Sequence, residues 1–144
     1  MKGKKELFGT NGVRGVVGDS MGPELVLRIG QALGAMRPGT IAVGRDSRSS
    51  GAMLVHAMKA GLLASGCSVV DCGILPTPAL QFIVRGRFAA GAMITASHNP
   101  PEYNVFFFKQ ETAYEMGDEE VIALEERLGS GSYSLADWRG IGDE

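Results

Sequence analysis

The chain has 144 residues, 44% of them hydrophobic and 21% charged, which is the profile of one globular domain large enough for a real core. A formal charge of −2 and a pI near 5.7 give no electrostatic ground for binding nucleic acid or an anionic membrane. No run of 18 apolar residues and no apolar segment after the charged start Met1–Glu6 is found, so neither a spanning helix nor a signal segment is read here and the cytoplasm is the expected location.

Taken in order, Leu7–Gly18 alternates apolar residues with Gly, Thr, Asn and Arg. It reads as a short strand and a glycine-rich loop that carries Arg14. Gly22-Pro23 opens a helix, since proline is tolerated in the first turn. Leu25, Val26, Ile29, Leu33 and Met36 recur at helical spacing to about Arg37, where Pro38-Gly39 stops them. Thr40–Gly44 reads as a buried strand ending in the polar loop Arg45-Asp46-Ser47-Arg48-Ser49-Ser50.

A second helix follows over about Gly51–Ala64, with Leu54, Met58, Gly61, Leu62 and Ser65 on one face and Gly66 as its cap. Ser68–Cys72 reads as a strand, Thr77–Arg85 as a short helix and Ala89–Thr95 as a strand. Tyr103–Lys109 reads as a further strand, and Asp118–Leu128 as a helix capped by Asp118. Gly129–Glu144 is turn-rich. Strands alternating with helices predict an α/β domain: three layers, a mixed and mainly parallel sheet flanked by helices.

Cys67 and Cys72, on a strand, stand roughly 16 Å apart, beyond disulfide reach. No Cys or His cluster beside them suggests a metal, so both read as core thiols in a reducing compartment. The 21 glycines follow no repeat and sit beside polar and charged residues, as tight turns and close backbone approach to a ligand require.

The chemistry concentrates in Ile94-Thr95-Ala96-Ser97-His98-Asn99-Pro100-Pro101, where a buried strand opens into small polar residues. Open α/β sheets keep reactive groups in such loops. Ser97 is a candidate nucleophile, and His98 can donate a hydrogen bond or take a proton. The loops after the strands at Arg45 and Ser97 are expected to meet at one sheet edge, offering a hydroxyl, an imidazole, arginines and glycine N–H groups. Arginine forks and exposed N–H groups suit phosphate oxygens. No carboxylate pair of glycosidase type and no Gly-x-Ser-x-Gly elbow is evident. Each part also has a structural reading: a turn at Ser97-His98, a surface ion pair for Arg14, an internal Arg45–Asp46 bridge. His56 reads as structural, and Trp138 as packed against a neighbouring element.

Four motifs carry a family resemblance: Phe8-Gly9-Thr10-Asn11-Gly12-Val13-Arg14-Gly15, Gly44-Arg45-Asp46-Ser47-Arg48, Pro76-Thr77-Pro78, and Thr95-Ala96-Ser97-His98-Asn99-Pro100-Pro101-Glu102-Tyr103-Asn104. In this order they resemble the first domain of the α-D-phosphohexomutases, which include phosphoglucomutase, phosphomannomutase and phosphoglucosamine mutase. The wording is most like archaeal members. The resemblance implies that Ser97 is a phosphorylated serine. It would give its phosphoryl group to a hexose phosphate and take one back from a bisphosphate intermediate. It implies Mg²⁺, held by the Ser97 phosphate and by aspartates of a second domain. It implies that Arg14 and Arg45 steady the reacting phosphate, and that Thr10, His98 and Asn99 contact it. It further implies that residues 1–144 are one domain of a four-domain enzyme, inactive alone, whose partners are its remaining domains and a hexose phosphate substrate, with a homodimer allowed.

Two departures qualify this. The metal, sugar-selecting and distal phosphate loops of the family are not in this sequence, and Phe107 stands where the family pattern carries a lysine, a candidate general acid/base. Lys109, two residues on, is displaced by roughly 7 Å on a strand and does not inherit the role. Residues 105–116 read as atypical, an artefact or chimera with the authentic frame resuming near Gly117; continuous genomic reads over codons 104–117 would sink that idea. A non-catalytic phosphosugar-binding module, or an inactive truncated fragment, is the alternative reading.

Overall fold

The computed structural model describes residues 8–9, 12–95, 102–109, 117–131 and 133–144. Its elements are β1 (Phe8–Gly9), β2 (Gly12–Val16), α1 (Pro23–Met36), β3 (Thr40–Arg45), α2 (Gly51–Ala64), β4 (Ser68–Ile74), α3 (Thr77–Val84), β5 (Ala90–Thr95), β6 (Glu102–Lys109) and α4 (Asp118–Ser130). The six strands form one sheet in the order β1-β2-β6-β5-β3-β4. β4, β3 and β5 are parallel to one another, and β6, β2 and β1 continue the sheet antiparallel. The α/β class and the mixed sheet are those expected, with the parallel strands grouped in one half.

Strand alternation divides the core. Val13, Ile41, Val43, Val69, Ala90, Ala92 and Ile94 pack with buried residues of α1, α2 and α4, as period-two side chains must. The opposite set, Ala42 and Met93, meets Leu80 and Val84 of α3. Helices therefore cover both faces, giving three layers.

Local chemistry explains the helix ends. α1 has Pro23 in its first turn, and its cap Arg37 donates its N–H to the Leu33 carbonyl at 2.8 Å before Pro38 ends the helix. α2 is apolar on most sides because it lies between α1 and the sheet; Gly66, the expected cap, turns the chain with φ +92°. α4 begins one residue earlier than predicted in its capping. Gly117 is the cap and donates its N–H to Glu120 Oε2 at 3.3 Å, while Asp118 is the first helical residue. Three acidic residues in that first turn interact favourably with the positive end of the helix dipole. Glu120 also pairs with Arg37, and Arg28 Nη2 donates to the Leu128 carbonyl at 2.7 Å, which docks both ends of α4 on α1.

Other expectations are corrected. Arg14 lies within β2, not on a loop. Trp138 is 78% exposed, with Arg139 stacked 5.2 Å from its ring centre, because its segment is anchored through the backbone and leaves the indole outside. β4 runs on to Ile74. Both cysteines are free, with Cys67 buried and Cys72 only partly so. Among the described residues no helix is long and apolar enough to cross a membrane. Residues 105–109 continue β6 in register with β5; residues 110–116 lie outside the described part.

Candidate active site

The two loops expected to meet do so because β3 and β5 are parallel neighbours that finish together, Arg45 opposite Ile94. One row further, Thr95 lies opposite Asn104 on β6, and Asn104 opposite Arg14 on β2. Adjacent strands are about 4.8 Å apart. The backbones of Arg45 and Arg14 therefore flank the end of β5 at about 5 Å and about 10 Å, one on each side. Ser97 follows Thr95 by two residues. Ser97, His98, Asn99 and Thr10 lie outside the described residues, as does the side chain of Arg14.

Arg45 is half-buried, and its position is set from two directions. Its Nη1 donates to the Asp46 carbonyl at 3.1 Å. Its stem crosses the first turn of α2 at Gly51, where a Cβ would stand 3.3 Å from Arg45 Cδ. The predicted Arg45–Asp46 bridge is thus replaced by a bond to the backbone, and the Asp46 carboxylate serves elsewhere. Its Oδ1 accepts the Arg48 N–H at 3.1 Å, the side-chain-to-backbone turn that Asp favours. Its Oδ2 accepts the Thr95 hydroxyl at 3.2 Å and lies 3.6 Å from Arg48 Nε. The Asp46 N–H meets the Ile94 carbonyl at 3.1 Å. Asp46 and Thr95 therefore fasten the end of β3 to the end of β5, two residues before Ser97. Sequence reading missed this pair; the signal was a polar residue closing each of two apolar strands.

A second polar group lies on the α2 side of the same half of the sheet. Lys59, buried, donates to Asp71 Oδ2 at 3.1 Å and to Glu144 Oε1 at 2.5 Å. The bond to Glu144, aided by Asp71 and opposed by burial, raises the Lys59 ammonium above its ordinary pKa. Burial pushes Asp71 up, but the Gly73 N–H, the Lys59 bond and the charges of Lys59 and Arg45 outweigh it and hold the carboxyl below its ordinary range. Burial, with Asp71 beside it, pushes the Cys72 thiol up, which argues against a reactive thiolate. His56 is exposed on α2.

Position 107 is opposite Ala92, and Lys109 is opposite Ala90, at the far end of β5 from Thr95. Five residues of strand put the backbone of Lys109 roughly 17 Å from the Asn104 row, so the lysine is displaced from the edge. Among the described residues no three carboxylate, imidazole or thiol groups converge as a metal site needs. Asp46, nearest the end of β5, is engaged with Arg48 and Thr95. A Mg²⁺ ion at this edge would need ligands other than these described residues.

Residues 5–134 match the family described as phosphoglucomutase/phosphomannomutase, alpha/beta/alpha domain I. Two proteins of Thermococcus kodakarensis are similar: a phosphoglucomutase/phosphomannomutase, 43% identical over 96% of this chain and 32% of its own, and a phosphopentomutase, 43% identical over 92% and 29%. A phosphoglucosamine mutase of Thermosipho africanus is 53% identical over 67% of this chain and 23% of its own. A solved phosphoglucomutase/phosphomannomutase family protein of Burkholderia thailandensis superposes with a TM-score of 0.83 at 28% identity, over 95% of this chain and 32% of that one. The chain thus spans about a third or less of the length of these relatives. The match fills residues 5–134 of 144 and the solved fold agrees: the chain belongs to the phosphoglucomutase/phosphomannomutase family and corresponds to its alpha/beta/alpha domain I.

Proposed function

We propose that this chain is the phosphoserine-bearing domain of a phosphohexomutase, interconverting hexose 6-phosphate and hexose 1-phosphate through a bisphosphate. The observation that carries the proposal is the row at the end of β5, where Arg45 and Arg14 flank the strand that leads into Ser97.

In the first transfer a sugar hydroxyl oxygen attacks phosphorus on Ser97. The new oxygen–phosphorus bond forms as the Ser97 Oγ–phosphorus bond breaks, and the sugar hydroxyl proton passes, through a base, to the departing Ser97 oxygen. The sugar turns over, and its other phosphoryl group returns to Ser97 Oγ. Such transfers depend on positioning and on charge stabilisation. Arg14 and Arg45, whose backbones flank the end of β5, supply positive charge, and the Asp46–Thr95 fastening fixes the end of that strand. Thr10, His98 and Asn99 contact the phosphate. A Mg²⁺ ion held by the Ser97 phosphate would supply Lewis-acid stabilisation. The partners are the remaining domains of the same polypeptide, in the cytoplasm, and those domains choose the sugar: glucosamine, glucose or mannose phosphate. The differing names of the relatives agree with a domain that does not itself choose.

An activity panel on these three sugar phosphates with the full-length protein tests the proposal, alongside intact mass after incubation with a hexose 1,6-bisphosphate and a phosphatase control. Turnover on one sugar, one added phosphoryl group, and loss of both in Ser97→Ala are expected. Absence of phosphorylation with an active bisphosphate counts against the mechanism. Phe107 favours a second reading, a phosphosugar-binding module: it predicts binding of the same ligands without turnover.

A further inference from the structure

Asp46 turns each of its polar groups toward a different neighbour. Its N–H meets the Ile94 carbonyl at 3.1 Å. Its own carbonyl accepts Arg45 Nη1 at 3.1 Å. Its carboxylate takes the Thr95 hydroxyl on Oδ2 at 3.2 Å and the Arg48 N–H on Oδ1 at 3.1 Å. One residue thereby joins the Arg45 guanidinium to the last two residues of β5. The frame is tied from β4 as well. The Leu75 N–H meets the Arg45 carbonyl at 3.1 Å, and a Cβ on Gly44 would stand 2.4 Å from Leu75 Cδ2. The turn that leads into Pro76-Thr77-Pro78 thus closes on β3, and the ends of β4, β3 and β5 are laced together.

Thr95 stands out in this lacing. All six residues of β5 are buried, and the other five carry no polar side chain. A buried hydroxyl costs free energy unless it is bonded, and valine, of nearly the same shape, would bury at less cost. Nor does Asp46 depend on Thr95 for a partner, since Arg48 Nε lies 3.6 Å from the same carboxylate oxygen. What the hydroxyl adds is direction. It relates the strand that leads into Ser97 to the residue that holds the head of Arg45.

We propose that Thr95 is a positioning residue for phosphoryl transfer: through Asp46 it fixes the Arg45 guanidinium relative to the chain that enters Ser97, two residues on. The inference deepens the reading of Ser97 as the phosphorylated serine and rests on it. Thr95 acts through Asp46 and not on the reacting atoms. A cation stabilises a transferring phosphoryl group only where it is aimed, and a misplacement of 1 Å can cost about 10²-fold in rate. Strand pairing on both sides of β5 survives the loss of one side-chain bond, so the displacement here is smaller.

Steady-state kinetics of the full-length protein test this, with intact mass after incubation with a hexose 1,6-bisphosphate counting the molecules able to take up a phosphoryl group. Thr95→Val should lower kcat per competent molecule roughly tenfold and leave KM within about twofold, as loss of transition-state alignment does. Thr95→Ser keeps the hydroxyl and should stay within about threefold of the parent. In an Arg45→Ala background Thr95→Val should cost less than about twofold, because an absent guanidinium cannot be misaimed. Equal losses in the valine and serine variants, or the full loss with Arg45 already removed, overturn the proposal. So does a lower melting midpoint with unchanged kcat per competent molecule, which is a structural role alone. A parent protein that takes up no phosphoryl group overturns the phosphoserine reading and this inference with it. A phosphorylated parent that Thr95→Val matches in kcat overturns this inference only.

Discussion

The α1–α2 interface and the polar end of the sheet both depend on glycine, under different constraints. At the interface, a Cβ on Gly61 would lie 2.1 Å from the Leu27 carbonyl oxygen, and one on Gly30 2.6 Å from the Met58 carbonyl oxygen. Backbone meets backbone there, and nothing can step aside. At the sheet end, a Cβ on Gly51 would first meet the flexible side chain of Arg45, at 3.3 Å. The first region is fixed by main chain and serves the fold. The second is fixed by side chains that can yield, and it serves the chemistry. Substitutions should therefore separate stability from activity according to region.

The largest effect is expected at Arg45. Arg45→Ala in the full-length protein removes a cation about one strand spacing from the end of β5. Loss of one charge-stabilising group commonly lowers kcat about 10²- to 10³-fold, about 2.7–4 kcal/mol. The midpoint of thermal unfolding should move little, because Arg45 is only half-buried and its bond is to the carbonyl of the adjacent residue. A large fall in that midpoint would erase the distinction between the regions.

Gly61→Ala should do the reverse. The helices must separate to admit a methyl group, and overpacking of this kind costs about 1–3 kcal/mol; contact with backbone puts Gly61 at the upper end. Denaturant titration should show the lower midpoint, while kcat per folded molecule stays near the parent value.

These two regions also differ in how well the sequence discloses them. The helical recurrence of Val26, Ile29 and Leu33, and the unbroken apolar run into Ile94, announce α1 and β5, because burial on one face imposes its period on the chain. The meeting of the Arg45 and Ser97 loops follows from two strands that end alike. Pairing across the sheet is not local, and it escaped: Arg14 looked like a loop residue because β2 is short and two of its five residues are glycine, yet β6 pairs with it. Asp46 looked like the partner of the adjacent Arg45, whereas a turn brings Arg48 and Thr95 to it. The Lys59–Asp71–Glu144 cluster joins residues up to 85 apart, and no periodicity records that. Trp138 was misjudged because a large apolar residue is usually buried within its own domain.

Lys59→Met probes this cluster and should have an intermediate effect. Lys59 is buried, but Asp71 and Glu144 keep about a third and a half of their side-chain surface in water. The loss should fall between an exposed and a buried pair, about 1–2 kcal/mol. Its pH dependence follows from the two shifts. Lys59, raised, contributes fully below its ordinary 10.5, and the contribution is lost as pH rises through the higher folded value. Asp71, lowered, contributes above its ordinary 3.8, and that is lost as pH falls through the lower folded value. The difference between parent and variant should be constant across neutral pH and shrink at both extremes. A difference that instead changes near neutrality would mean that another group carries it.

The smallest change, Gly51→Ala, separates the regions most sharply. Gly51 is the first residue of α2, and its φ is not in the left-handed region. Alanine there restricts the unfolded chain and suits the helix, which should raise stability by about 0.4–1 kcal/mol. The new methyl group must also push the Arg45 stem by a few tenths of an ångström. A 1 Å misplacement can cost about 10²-fold in rate, so a shift of this size should lower kcat roughly two- to fivefold. One substitution would then make the protein more stable and less active. Thermal melts and steady-state kinetics on the same full-length preparation check it. If both rise together, the stem of Arg45 is not what Gly51 makes room for.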